Sequence, residues 1–123
     1  MRRAVRHRLE RKDCAGEVER PYGRAAWRSD LAWAPEGGES IGELGLRVRA
    51  ACDALLDEAT ERDVVVVTHV SPIKAAVAWA LGVGDEVAWR LFVAPASVTR
   101  IRCGPAGPSL VSFNETAHLV GVR

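Results

Sequence analysis

The chain has 123 residues, 48% of them apolar and 27% charged, with a formal net charge of +1 at pH 7. This composition is typical of one soluble globular domain with a modest core. The near-zero net charge excludes a general electrostatic attraction of the whole chain to nucleic acid or to a membrane surface.

The basic residues are concentrated at the N-terminus. The first twelve residues carry six Lys or Arg side chains against Glu10 alone, so this segment has a charge of +5 and the remainder −4. Such an arm binds nucleic acid or another anionic surface, or it is a solvated tail. We favour the tail and predict a basic segment at 1–20, non-native or disordered, followed by a partial domain at 21–123.

The cysteines and the lengths of the apolar stretches indicate the cellular compartment of the protein. Cys14, Cys52 and Cys103 are odd in number and form no Cys-x-x-Cys pair, so we expect free thiols and no metal site. The first residues have no apolar core like that of a signal peptide, and no apolar stretch is long enough to cross a bilayer. We therefore predict a cytoplasmic protein without a membrane partner.

Two helices are predicted in the first half of the chain. A short one is expected from about Gly23 to Leu31, before the loop at Pro35–Gly38. The best helix of the chain opens at Ser40, because Ser40-x-x-Glu43 has the form of a capping box. Apolar residues then recur at helical spacing up to about residue 59.

The stretch from Asp63 to Lys74 organises the predicted fold. Val64–Val67 is a continuous β-branched run, which predicts a short strand buried on both faces, as in a parallel sheet. Ser71 and Pro72 then predict a helix N-cap and its first helical position. His69 is thus expected between a strand end and a helix N-terminus, where open α/β sheets bind ligands and where phosphate is favoured.

The last third of the chain predicts a short helix and a hairpin. The helix spans about Asp85 to Leu91, and the strands are Ser97–Cys103 and Leu110–Asn114, joined by a Gly- and Pro-rich turn. The element order implies an α/β layered domain with a mixed sheet. Only three strands are clear, fewer than most sheets contain.

Three side chains are candidates for chemistry. His69 is either a phosphate contact or proton-transfer group, or a histidine satisfied by local hydrogen bonds. Glu39 lies at a helix N-terminus, where the dipole alone favours a carboxylate, or it lies on the rim of a site. His7, flanked by Arg6 and Arg8, is a nucleophile beside phosphate-binding arginines or part of the basic tail, and we favour the tail.

The order of several short motifs resembles the C-terminal half of the histidine phosphatase superfamily, the phosphoglycerate mutase-like group. The resemblance covers about Trp27 to Leu119. Thr68–Lys74 is most similar to actinobacterial broad-specificity and α-ribazole-type phosphatases. The motifs that carry it are Gly37–Ser40, Val64–Val70, Trp89–Leu91, Ala96–Thr99 and Leu110–Glu115.

The resemblance implies a three-layer sandwich, N-terminally truncated here, whose mixed sheet has few strands. It implies hydrolysis of small-molecule phosphomonoesters without metal or cofactor. A histidine in Arg-His-Gly attacks phosphorus, while arginines and a second histidine hold the phosphoryl oxygens. His69 matches the second histidine and Glu39 the family's Gly-Glu-Ser, and we take Val70, Ser71 and Arg6 as further substrate-binding candidates.

The chain departs from the family at its N-terminus. No Arg-His-Gly follows an apolar strand, and Arg8 stands where the glycine belongs. Only 32 positions separate His7 from Glu39, too few for the family's intervening elements and general acid. We therefore expect an impaired phosphatase. The alternatives are a non-catalytic module that forms a homodimer through an open sheet edge, and an unrelated anion- or nucleotide-binding domain that uses the helix at Ser71.

Overall fold

The computed structural model describes residues 26–122. After a helical turn at 26–29 come helix α1 (Ile41–Glu61), helix α2 (Val70–Leu81) and a 3-10 helix (Asp85–Arg90). Strands β1 (Val98–Gly104) and β2 (Gly107–Glu115) follow, and then a second 3-10 helix (Ala117–Leu119). The α/β class predicted from the sequence is confirmed. The predicted start of the first helix lies outside the described residues.

Helix α1 forms where local signals predict it. Ser40 Oγ accepts a hydrogen bond from the Glu43 amide at 3.1 Å, and Glu43 Oε2 accepts one from the Ser40 amide at 2.8 Å. This reciprocal capping box satisfies two amides that the helix itself leaves unpaired. The apolar positions Ile41, Leu44 and Val48 are buried, so one face of α1 forms part of the core.

Replacing Ser40 with alanine tests the capping box. The variant loses both the cap acceptor and the geometry that positions Glu43, so we expect a loss of about 1 kcal/mol in the free energy of unfolding. Urea denaturation followed by circular dichroism measures it. Ser109→Ala is the matched control because Ser109 is exposed on β2. Equal stability of the two variants would show that the cap contributes nothing.

Residues 63–69, called here the valine segment, are the main departure from prediction. They form neither helix nor strand, and Val65, Val66 and Val67 are 54%, 42% and 66% exposed. The prediction of a strand buried on both faces is therefore wrong for the structure described. A β-branched run becomes a strand only when a neighbour pairs with its backbone. Within residues 26–122 the only sheet is the β1–β2 pair.

Helix α2 begins before the predicted position and ends where expected. Its N-cap is His69, so Val70 is the first helical residue and the prediction of Ser71 as N-cap is wrong. Pro72 lies third in the helix, where its missing N–H costs nothing because the first amides have no intrahelical acceptor. Gly82 ends the helix with a φ of +66°, the left-handed conformation that glycine adopts without strain.

Strands β1 and β2 form an antiparallel hairpin, so the sheet within the described residues is not mixed. Register runs from Gly104 opposite Gly107 to Val98 opposite Glu115, with irregularities near Arg100. The predicted second strand is longer than expected, since it begins at Gly107. Pairing extends to the turn because the two chain segments are held in one register by that turn.

The core lies between the helices and the hairpin. Helices α1 and α2 pack against each other, α1 contacts β1, and α2 contacts both strands. Leu44 and Val48 of α1 meet Ala75 of α2, and Val77 of α2 is completely buried. Among residues 26–122, no helix combines the length and apolar character needed to span a bilayer.

Candidate functional site

His69 occupies the junction between the valine segment and α2. Its backbone is extended, with φ −117° and ψ 172°, and its carbonyl accepts the first helical hydrogen bond from Ile73 at 3.1 Å. The imidazole is exposed and makes no capping hydrogen bond. A donor side chain therefore stands beside the positive end of a helix dipole, which is the arrangement that favours an anion.

The residues that flank His69 add further polar groups. Thr68 Oγ1 is shielded from solvent and has no hydrogen-bond partner within the described part of the chain. Val70 is 40% exposed and Ser71 is also exposed, so the first turn of α2 is open to solvent. Buried hydroxyls are ordinarily hydrogen-bonded, so a water or a ligand beside Thr68 would supply the missing partner.

Glu39 is held by an arginine of α1. Arg47 Nε donates to Glu39 Oε1 at 2.8 Å and Arg47 Nη2 donates to Glu39 Oε2 at 2.9 Å. This bidentate geometry engages both carboxylate oxygens and fixes the loop that leads into α1. Sequence reasoning placed Glu39 near the helix N-terminus but missed its pairing with Arg47, because the two are eight residues apart across the cap.

A second arginine clamps the first 3-10 helix onto α1. Arg49 Nη1 donates to Asp85 Oδ1 at 2.5 Å, and Arg49 Nη2 donates to the Val83 carbonyl at 3.0 Å. A Cβ at Gly45 would meet the Asp85 carboxylate, so glycine at this position permits the close approach. The clamp holds Asp85 on one side of a small cleft that also includes Ser71.

That cleft is partly cationic. Its walls include Ser71, Lys74 and Trp89, and its volume of about 30 Å³ suits one water molecule rather than a phosphomonoester. The Arg28 guanidinium lies 5.6 Å from the centre of the Trp89 ring. Burial, and to a smaller extent the nearby charge of Arg28, lowers the pKa of Lys74 from its ordinary value. Arg28 lies in no motif, and Lys74, although it ends the Thr68–Lys74 motif, was not singled out as a site residue from the sequence.

The sequence candidates Arg6 and His7 lie outside the described residues. His118 Nε2 is 2.8 Å from the Ala96 carbonyl, which makes it a structural contact between the C-terminal segment and the loop before β1. Across 26–122 no three His, Cys, Asp or Glu side chains are grouped to hold a metal ion.

The comparison with family models agrees with the motifs around His69. The model of the histidine phosphatase superfamily (branch 1) matches residues 8–116. The Bifunctional protein Rv2228c of Mycobacterium tuberculosis is 35% identical over 94 residues, which are 76% of this chain and 26% of that protein. The Uncharacterized protein Mb2253c of Mycobacterium bovis matches to the same extent. The chain thus spans about a quarter of the length of these curated relatives.

Solved structures show the same fold. A mutant phosphoserine phosphatase of Entamoeba histolytica in complex with phosphoserine aligns with a TM-score of 0.70 at 21% identity, covering 84% of this chain and 53% of that one. The mycobacterial glucosyl-3-phosphoglycerate phosphatase Rv2419c, in complex with VO3, aligns at 0.64 and 28% identity, covering 80% and 54%. The described helices and hairpin therefore correspond to about half of each relative.

Proposed function

Since the chain belongs to the histidine phosphatase superfamily (branch 1), we propose that its His69 end binds the phosphoryl group of a small phosphomonoester. The observation that carries the proposal is the exposed imidazole of His69 at the N-terminus of α2. The imidazole N–H donates to a phosphoryl oxygen, and the first amides of α2 face the same charge. Val70 and Ser71 provide those amides.

Hydrolysis requires a second histidine as nucleophile, and His7 is the candidate. In the proposed reaction its imidazole nitrogen forms a bond to phosphorus while the ester P–O bond breaks. The departing alkoxide takes a proton from water, and the hydroxide that this leaves then cleaves the phosphohistidine to release hydrogen phosphate. Arg6 would hold a phosphoryl oxygen, and no metal takes part. A side chain at position 8, where the family has glycine, would crowd the backbone approach to phosphate, so we propose that turnover by this chain is slow.

His69 contributes charge stabilisation rather than covalent chemistry in this scheme. Negative charge on the phosphoryl oxygens shifts during the transfer, and a donor fixed beside them stabilises the transition state. The shielded Thr68 hydroxyl, which has no partner among residues 26–122, supports the proposal because a bound ligand or its water would supply one. The free thiols of Cys52 and Cys103 suit a reducing compartment, which supports a cytoplasmic location.

Turnover of p-nitrophenyl phosphate in the absence of added metal tests the proposed function. We expect slow hydrolysis by the wild-type chain, a loss of about a hundredfold in His69→Ala, and no hydrolysis by His7→Ala. His118→Ala is the matched control, because that histidine contacts the Ala96 carbonyl near β1 and lies outside the proposed site, and it should retain wild-type turnover.

Each result has a distinct consequence. Loss in both active-site variants supports a site that uses His7 as nucleophile and His69 as donor. Loss of turnover in His69→Ala alone contradicts the role of His7 as nucleophile and still supports phosphoryl binding at His69. If neither the wild-type chain nor any folded variant hydrolyses the substrate, the proposal that this chain is an enzyme is contradicted. It would favour the alternative, a non-catalytic α/β module that associates through open backbone, for which the exposed valine segment is the supporting observation.

A further inference from the structure

Two free thiols in the described part of the chain lie on elements that pack against each other, and the proposed phosphoryl site uses neither of them. Cys52 follows Leu44 and Val48 at helical spacing on α1 and packs against the cluster that these two residues form with Ala75. It therefore lies on the face of α1 that is turned toward the core. Cys52 and Cys103 are both half-buried, and neither is joined in a disulfide.

Cys103 belongs to the covered face of strand β1. Exposure alternates along the strand, so that Thr99, Ile101 and Cys103 are half-buried while Arg100 and Arg102 are exposed. The face of β1 that carries Cys103 is therefore turned toward the helices, and α1 contacts β1. Both thiols thus lie on the sides of α1 and β1 that face the core between them.

The electrostatics of Cys52 indicate that the two thiols are close. Burial raises the pKa of the Cys52 thiol to about 11, and the charges of Asp53 and of the Cys103 thiolate add to this rise. Arg49 acts in the opposite direction. The interaction between two charges weakens with distance, so the Cys103 charge affects Cys52 because little separates the two sulfur atoms.

We propose that Cys52 and Cys103 are a modification site at which hydrogen peroxide forms an intramolecular disulfide that fastens α1 to β1. The Cys103 thiolate attacks one peroxide oxygen, the O–O bond breaks and hydroxide leaves, so that Cys103 becomes a sulfenic acid. The Cys52 thiolate then displaces hydroxide from that sulfur and forms the S–S bond. The two thiol protons and the two hydroxides combine as water, so two thiols are oxidised and one peroxide is reduced.

The disulfide closes residues 52–103 into one loop. A cross-link between residues far apart in the sequence restricts the unfolded chain, and the effect grows with the length of the loop. Disulfides in reducing compartments are usually transient and respond to oxidants. Because its raised pKa leaves little Cys52 thiolate at neutral pH, we expect the second step to limit the rate of cross-linking.

Peptide mass spectrometry without reduction tests the site after the folded full-length chain has been treated with hydrogen peroxide. We expect a linked pair of peptides that contain Cys52 and Cys103, from a protein that migrates as a single chain on a non-reducing gel. Cys52→Ser and Cys103→Ser should each lose this link. Cys14→Ser is the matched control, since it removes a thiol outside the proposed pair, and it should retain the link.

The melting temperature shows whether the bond forms within the native packing. We expect the oxidised wild-type chain to melt at least about 10 °C above the reduced chain, and dithiothreitol to reverse the shift. Cys52→Ser should show no such rise after the same treatment. Three results would overturn the proposal: a folded chain that forms no disulfide, a link through Cys14 or between two chains, and a Cys52–Cys103 bond that does not raise the melting temperature.

Discussion

Replacing Val77 with aspartate will leave the chain unfolded, whereas the same replacement at Val67 will leave its stability unchanged. The sequence alone does not show which of these two valines is buried, but the structure does. Val77 is 0% exposed within α2, and Val67 is 66% exposed in the valine segment. A carboxylate at position 77 would lose its hydration, with no charged partner among the apolar residues that form the core.

The difference between the two sites is large on the scale of domain stability. Burial of an unpaired charge destabilises a folded domain by more than about 4 kcal/mol. A domain of this size has a total stability of about 5–15 kcal/mol, so Val77→Asp removes much or all of it. An exposed substitution away from any special feature changes stability by less than about 0.5 kcal/mol.

Far-UV circular dichroism and urea denaturation distinguish the outcomes. The measurements are made at a protein concentration low enough for the chain to be monomeric, so that association does not contribute. Val77→Ala is a milder variant that should still fold, with a loss of about 2 kcal/mol. If Val67→Asp destabilises the chain as much as Val77→Ala does, the valine segment is buried and the fold described above is incorrect at that point.

Replacing His69 with alanine will weaken the binding of inorganic phosphate by about ten- to a hundredfold. Hydrogen bonds to charged groups contribute about 1.5–3 kcal/mol, and each 1.4 kcal/mol changes affinity by about tenfold. The amides of Val70 and Ser71 remain at the start of α2, so some affinity survives. Phosphate binding, unlike turnover, does not require the His7 nucleophile, which separates the two parts of the proposed function.

Isothermal titration calorimetry with inorganic phosphate measures this effect. His118→Ala serves as the control because it removes the same side chain from an exposed position that contacts the Ala96 carbonyl. Equal affinities of wild type and His69→Ala would contradict a role for His69 as phosphoryl donor. Equal loss in His69→Ala and His118→Ala would indicate a general effect of removing imidazoles rather than a site.

The parts of the fold that depend on local signals could be predicted from the sequence. Helix α1 has a capping box at Ser40 and Glu43 and a regular apolar face, so its start and its buried side are determined by residues close in the chain. The end of α2 at Gly82 and the hairpin around residues 105–106 are equally local. The predicted α/β class rests on these elements and is confirmed.

The valine segment shows where such reasoning fails. Its composition predicts a strand, but strand formation depends on a partner elsewhere in the chain, and residues 26–122 supply none. Helix α2 begins two residues earlier than predicted, for a related reason. Ser71 and Pro72 are an acceptable cap and first residue, yet the same pair is also compatible with the first turn of a helix capped by His69.

The candidate site was predicted in part. His69 was identified because a strand end and a helix start converge on it, and the structure places it at the start of α2. The contact of Glu39 with Arg47 and that of Arg28 with Trp89 were not predicted. These contacts depend on side-chain placement between distant or folded-back segments, which no spacing rule specifies. The roles proposed for His69, Glu39, Val70, Ser71, His7 and Arg6 all stay predictions.

Nuclear magnetic resonance shows directly whether the His69 end of the chain binds a phosphoryl group. The chain, labelled with ¹⁵N, is titrated with inorganic phosphate while the imidazole and amide signals are followed. We expect saturable shifts of the His69 ring and of the Val70 and Ser71 amides, with the His118 ring unchanged. Saturable shifts confined to Lys74 and Trp89, or no saturable shift at His69, would contradict the proposed binding.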